Sequence, residues 1–207
     1  MAESFNFVSL DIVLPKRQAQ SHKGLYGRVA VIAGSKGMGG AGILASEASL
    51  FCGSGLVSLY THSSNAQASL QRNPEIMTLG VDSHENISGD FDVILIGPGF
   101  SDNKWSKELS ECISLDAPYG LIIDAGALTY TKKIQSQNNK NLILTPHPGE
   151  AAALLGVSAD EIQLNREDNA IDIAKKYNAS AVVLKGCLLY TSDAADDSLR
   201  VDLGGRR

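Results

Sequence analysis

Short apolar runs closed by glycine, proline or aspartate recur along the chain, and between them apolar residues fall at helical spacing. Residues 28–33, 56–61, 92–96, 120–123, 141–144 and 181–184 read as strands, each short, apolar and bounded by turn signals. Their polarity runs continuously rather than alternating, as expected of strands buried on both faces of a parallel sheet. Ala41, Leu44, Ala45, Ala48 and Cys52 recur at helical spacing, predicting a helix laid close on the sheet by small residues, with Gly53 and Gly55 ending it. Residues 65–71, 104–115, 149–155 and 161–177 are the other expected helices. Ahead of them, Phe5, Val8, Leu10, Ile12 and Leu14 make a weakly amphipathic piece, followed by a polar connector through Pro15 and His22-Lys23-Gly24. Alternation of strand and helix, with no repeat or low-complexity linker, predicts an α/β fold. Its sheet is doubly wound and mostly parallel, with helices on both faces.

Composition narrows the class. A chain of 207 residues, 43% hydrophobic and 20% charged, suits one globular domain. Its net charge of −5 offers no basic field to nucleic acid or anionic membrane. No apolar run reaches the length of a membrane span. Glu3, Asn6 and Asp11 interrupt the first residues, so no secretory signal is expected. Cys52, Cys112 and Cys187 lie far apart without metal-ligand spacing, which suggests a reduced, cytoplasmic setting.

Candidate chemistry gathers where strands end. Residues 142–150, Leu-Ile-Leu-Thr-Pro-His-Pro-Gly-Glu, read as a strand, a stiff corner and a helix start, with His147 pinned between two prolines. His147 is either a satisfied turn histidine or a ligand contact. Glu150, in the first helical turn, fits capping as well as chemistry. Gly37-x-Gly39-x-x-Gly42 matches the dinucleotide fingerprint formally, but Tyr60, Thr61 and His62 stand where an acidic residue should follow. No Gly-Lys-Ser/Thr follows to make a P-loop. What remains is a glycine turn opening a helix, either a packing device or a place for an anion. Gly97-Pro98-Gly99 ends another strand with no side chain to block a flat ligand. Asp124 ends a third, where it contacts a metal, water or donor, or caps the next segment. Lys185-Gly186 follows the last strand, placed for phosphate or for solvent. In a parallel sheet such ends share one edge, which predicts a polar, glycine-lined cleft for a large phosphorylated ligand.

Taken together, His22-Lys23-Gly24-x-x-Gly27-Arg28, the run Val31-Ile32-Ala33-Gly34-Ser35-Lys36-Gly37-Met38-Gly39-Gly40-Ala41, Ile96-Gly97-Pro98-Gly99, Ile123-Asp124-Ala125-Gly126-Ala127-Leu128, Leu144-Thr145-Pro146-His147-Pro148-Gly149-Glu150 and Val183-Leu184-Lys185-Gly186 resemble the ADP/ATP-dependent NAD(P)H-hydrate dehydratases. The likeness covers about residues 10 to 186, and Thr-Pro-His-Pro-Gly-Glu is its most specific piece. It implies a ribokinase-like fold and repair of hydrated NADH or NADPH: the nucleotide phosphorylates the added hydroxyl, and loss of phosphate restores the double bond. It further implies that Ala41, Gly99 and His147 contact the hydrated dinucleotide, with Gly40, Asp124 and Glu150 in support. Lys185 and Gly186 would begin the nucleotide-binding turn. ADP or ATP is the implied co-substrate, with Mg²⁺ accompanying it and no protein-bound metal assigned. A homo-oligomer is implied as well.

One part of the pattern is missing. The resemblance calls for a Gly-x-Gly-Asp segment after Gly186, its glycines facing the transferred phosphate and its Asp acting as base. No such segment occurs there, so no catalytic residue is assigned and the chain as given is expected to bind poorly and be inactive. Residues 187–197 instead resemble the translation of a sequencing-library adapter, and residues 201–207 its outer part. Domain 1–186 is therefore expected to be a partial dehydratase domain followed by a non-native tail; the alternative is a polar C-terminal loop. Two other functions fit the cleft: a ribokinase-like kinase for a vitamin-precursor alcohol, and a non-catalytic dinucleotide-binding protein.

Overall fold

The computed structural model describes residues 18–82, 87, 89–111, 113, 119–133 and 141–186. The amphipathic piece before residue 18 and the tail from 187 lie outside the described residues. Strands β1 (Arg28–Ile32), β2 (Leu56–Thr61), β3 (Met77–Gly80), β4 (Val93–Ile96), β5 (Gly120–Asp124), β6 (Leu142–Thr145) and β7 (Ala181–Val182) form one 7-stranded sheet. The order is β3-β2-β1-β4-β5-β6-β7, and every pairing is parallel. The doubly wound sheet expected from the sequence is thus present.

Helices α1 (Gly39–Phe51), α2 (Ser63–Arg72), α3 (Lys104–Glu111), α4 (Pro148–Leu155), α5 (Ala159–Leu164) and α6 (Arg166–Tyr177) provide the crossovers. Strand residues two apart share a face. Val31 and Ala33 pack with Val57, Leu59 and the α1 residues Ile43, Ala45 and Leu50. Ala30 and Ile32 join Ile96, Ile123 and Leu144 beneath Trp105 and Leu109 of α3, Leu154 of α4 and Ile173 of α6. Both faces of the central strands are therefore covered, which is why their sequences carry no polar alternation.

Four details differ from expectation. A further strand, Met77–Gly80, pairs with β2 at the sheet edge; Met77 and Leu79 are both more than two-fifths exposed, so no buried apolar run announced it. Residues 125–133 form a 3-10 helix without a helical apolar period to betray it. The helix expected over residues 161–177 breaks at Asn165, where the Asn169 amide donates to the carbonyls of Glu161 and Asn165, satisfying groups that the break orphans. Finally, the small-residue stripe is only in part the packed face of α1, since Ala45 meets the core and other members do not. Leu44 is 64% exposed, and Ala48 and Cys52 are exposed too, whereas Gly42, Ser46 and Glu47 are buried. Gly42 sets this rotation: a Cβ there would stand 3.1 Å from Leu59 and 3.3 Å from Ala33. Glu47 tolerates burial because Arg72 of α2 pairs with both its carboxylate oxygens, at 3.0 and 3.2 Å.

Candidate functional site

Strand order reverses at the β1–β4 pair, because β1 leads to β2 on one side while β3 crosses back to β4 on the other. Loops diverge there and leave a crevice at the C-terminal edge, the usual ligand position in such sheets. Gly34-Ser35 and Gly97-Pro98-Gly99 meet across it. The Gly34 N–H donates to Pro98 O at 2.8 Å and the Ser35 N–H to Gly99 O at 3.0 Å, with the Ser35 hydroxyl on the same carbonyl at 2.7 Å. Thr61 and Asn65 brace the turn from the β2 side through Gly34 O. These backbone groups are consumed by structure, so the first turn of α1, including Gly39 and Gly40, is the part of the glycine segment left for a ligand. Ala41 and Gly99 face each other here: a Cβ on Gly99 would lie 2.9 Å from that of Ala41. Gly40, by contrast, has open space where a side chain would be.

The second cluster forms across β5, β6 and β7. Asp124 and Thr145 are register partners on β5 and β6, and the Thr145 hydroxyl donates to Asp124 Oδ1 at 2.8 Å. Lys185 is carried there because its N–H donates to Pro146 O, continuing the β6–β7 pairing beyond the strand. Its Nζ donates to the same Asp124 oxygen at 2.6 Å and lies 3.9 Å from Glu150 Oε2. The carboxylate cost of leaving bulk water is thereby offset by an ammonium and a hydroxyl.

His147 caps α4. Its Nδ1 accepts the Glu150 N–H at 3.2 Å, and Glu150 Oε2 accepts the His147 N–H at 2.7 Å, a capping box with imidazole in place of hydroxyl. Nδ1 being an acceptor, the proton sits on Nε2, which lies 3.3 Å from Glu150 Oε1. The sequence left capping and ligand contact as alternatives for both residues; the structure shows the caps, and half of the His147 side chain stays exposed beside them. A ring whose Nδ1 accepts from the helix has Nε2 left to donate.

Two cavities flank Thr129 on the 3-10 helix. One, of about 280 Å³, is lined by Leu128, Thr129, His147, Gly149, Glu150, Ala153 and Leu154. The other, of about 320 Å³, is lined by Ser101, Asp102, Gly126, Thr129 and Tyr130. Burial holds the Tyr130 phenol above its ordinary pKa, and the charges of Asp102 and Glu111 push it the same way.

The structure therefore places Gly40, Ala41 and Gly99 at the β1–β4 crevice and brings Asp124, His147, Glu150 and Lys185 together on neighbouring strand ends. Gly186 stands at the exposed end of the Lys185 turn, where Arg166 of α6 donates to Leu184 O at 2.7 Å. Sequence reasoning missed Thr145, Arg166 and Tyr130. Thr145 had a signal, its position one residue before the Pro146–His147 corner; Arg166 and Tyr130 lie in the helix break and the 3-10 helix, neither of which was foreseen.

The NAD(P)H-hydrate dehydratase family profile matches residues 29–197. The bifunctional NAD(P)H-hydrate repair enzyme Nnr of Coxiella burnetii is 38% identical over 178 residues, covering 84% of this chain and 36% of that protein. The ADP-dependent (S)-NAD(P)H-hydrate dehydratase of Staphylococcus aureus is 36% identical, covering 78% of this chain and 60% of the relative. A crystal structure of the ADP/ATP-dependent NAD(P)H-hydrate dehydratase of Bacillus subtilis, co-crystallized with ATP/Mg²⁺, superposes with a TM-score of 0.75 at 32% identity, covering 84% of this chain and 62% of that one. The chain thus spans about a third of the bifunctional relative and under two thirds of the other two. On a profile match over residues 29–197, with these relatives and a shared sheet, the chain belongs to the NAD(P)H-hydrate dehydratase family.

Proposed function

We propose that the protein of which this chain forms a part dehydrates hydrated NADH or NADPH at the expense of ADP or ATP. The observation that carries this reading is the convergence of His147, Glu150, Asp124 and Lys185 on adjacent strand ends, beside a glycine-lined crevice. Gly40, Ala41 and Gly99 offer the dinucleotide backbone and small side chains that permit close approach. His147 donates from Nε2 and orients the substrate. Lys185 brings an ammonium to the nucleotide phosphates, and Gly186 lets the chain turn around them. Mg²⁺ would arrive with the nucleotide phosphates, while Asp124 and Glu150 remain neutralised by the Lys185 ammonium. When bound, the ion would neutralise phosphate charge.

The setting we propose is cytoplasmic; among the described residues no helix is long and apolar enough to cross a membrane. We also propose a homo-oligomer, supported by the exposed Leu44 and Phe51 on the outer side of α1. Residues 187–207 hold no Gly-x-Gly-Asp, and we assign them as a non-native tail.

The test pairs binding with turnover. The 207-residue chain should bind NADH weakly, show no nucleotide-dependent dehydration of NADH hydrate, and gain that activity when residues 1–186 are joined to the genomic sequence that follows them. An extended protein that phosphorylates a vitamin-precursor alcohol and leaves NADH hydrate untouched would overturn the reading.

A further inference from the structure

The proposed substrate has two nucleoside halves, and the 3-10 helix separates two cavities of comparable size. The His147 cavity adjoins Glu150, whose carboxylate lies within 4 Å of Lys185, so the hydrated nicotinamide half belongs on that side. The other cavity has no role in that chemistry, yet it is a built feature. Gly126 forms part of its wall, where a Cβ would stand 2.5 Å from Phe100 O, so only glycine lets the Phe100 loop and the 3-10 helix approach so closely. Phe100 packs edge-on against Trp105 at 5.4 Å, and the Ser101 hydroxyl lies 3.0 Å from that of Ser35, fixing the loop to the crevice.

Ser101 and Thr129 are bonded within the protein, to Ser35 and to Gly126 O, but two polar groups of this cavity are uncommitted. Asp102 is exposed, and among the described residues no cation pairs with it. The Tyr130 hydroxyl has no hydrogen-bond partner among them either. An aromatic ring beside a carboxylate matches a nucleoside: rings stack on bases, and carboxylates accept from the vicinal ribose hydroxyls. A 2′-phosphate changes the sign of that contact, because it sets roughly two negative charges against the carboxylate.

We propose that the cavity lined by Ser101, Asp102, Gly126, Thr129 and Tyr130 receives the adenosine half of the dinucleotide, and that Asp102 there favours the 2′-hydroxyl form over the 2′-phosphate form. This subsite rests on the reading under Proposed function. It makes Asp102 a specificity determinant and Tyr130 the ring against which the base lies.

Titrations of NADH, NADPH and reduced nicotinamide mononucleotide against the 207-residue chain, Asp102→Asn and Tyr130→Leu test it. The unsubstituted chain should bind NADH more tightly than NADPH. Asp102→Asn should shrink that ratio by about tenfold, most clearly at low salt. Tyr130→Leu should weaken both dinucleotides by roughly tenfold and leave the mononucleotide unchanged. Circular dichroism of both variants should match the parent, since Asp102 is exposed; if Tyr130→Leu unfolds, Tyr130→Phe with Asp102→Asn carries the test. NADH binding with a ratio that Asp102→Asn does not move overturns the proposal alone. A mononucleotide weakened as much as NADH would put the nicotinamide half in this cavity and overturn it too. Failure of NADH to bind the unsubstituted chain overturns both the proposal and the reading beneath it.

Discussion

At the scale of single residues, the tightest constraint lies at Gly97. Its φ is 118°, and a Cβ there would stand 1.8 Å from Asp124 O and 2.7 Å from the Ala127 side chain. The close approach brings the β4 turn against the end of β5, next to the carboxylate that Lys185 and Thr145 hold. Gly97→Ala therefore combines an unfavourable backbone conformation with a backbone clash. It should cost about 3 kcal/mol or more of unfolding free energy in urea titration. Gly40→Ala is the internal control. Gly40 lies in the first turn of α1, and a Cβ there meets nothing within 4 Å, so the substitution should be neutral or slightly stabilising. Any loss of dinucleotide binding in Gly40→Ala then reports the ligand rather than the fold.

At the scale of elements, the α4 cap residue His147 has a structural role and a proposed site role, and the two can be separated. His147→Ala removes the side-chain acceptor for the Glu150 N–H and should cost about 1 kcal/mol. His147→Asn restores a capping acceptor without the imidazole Nε2. Thermal unfolding should recover in Asn relative to Ala, while NADH binding should stay weakened in both; recovery of both together would reduce His147 to a cap. The next helix has a pH signature. Ser158 donates from its N–H and hydroxyl to the Glu161 carboxylate, holding its pKa below the ordinary value. A depressed carboxylate stabilises the fold above its unfolded pKa and loses that contribution as pH falls through the folded value. The melting-temperature gap between the parent and Glu161→Gln should therefore be present at neutral pH and close in acid. The α4 cap was readable at Glu150, but the Ser158–Glu161 box and the neighbouring break at Asn165 were not. Neither glycine nor proline marks it, and its cost is met by Asn169 from a turn away. Strands buried on both faces were legible for the opposite reason, since a continuous apolar run is what such burial demands. Edge strand β3 escaped because its side chains had no such demand to meet.

For the whole molecule, the site was legible as a set of strand ends but not as a geometry. Ser35 and Gly99 are joined by two hydrogen bonds across 64 positions, a contact fixed by the sheet order rather than by either segment. The same limit applied to α1, whose inward face depends on Gly42 fitting between Ala33 and Leu59. That rotation has a consequence for assembly. With Gly42, Ser46 and Glu47 turned inward, Leu44 and Phe51 are carried outward, 64% and 78% exposed, seven positions apart on one side of the helix. Two large apolar side chains at that spacing lie two turns apart on the same stripe, the arrangement that packs against another helix. A copy of the same helix supplies the matching stripe by twofold symmetry. Phe51→Asp places a charge in the centre of such a contact and none in the protomer core. Sedimentation should show the parent as an oligomer and Phe51→Asp shifted to monomer, with circular dichroism unchanged. A parent that sediments as a monomer at the same concentration would remove self-association through α1, leaving those side chains as solvent-facing residues of a lone sheet.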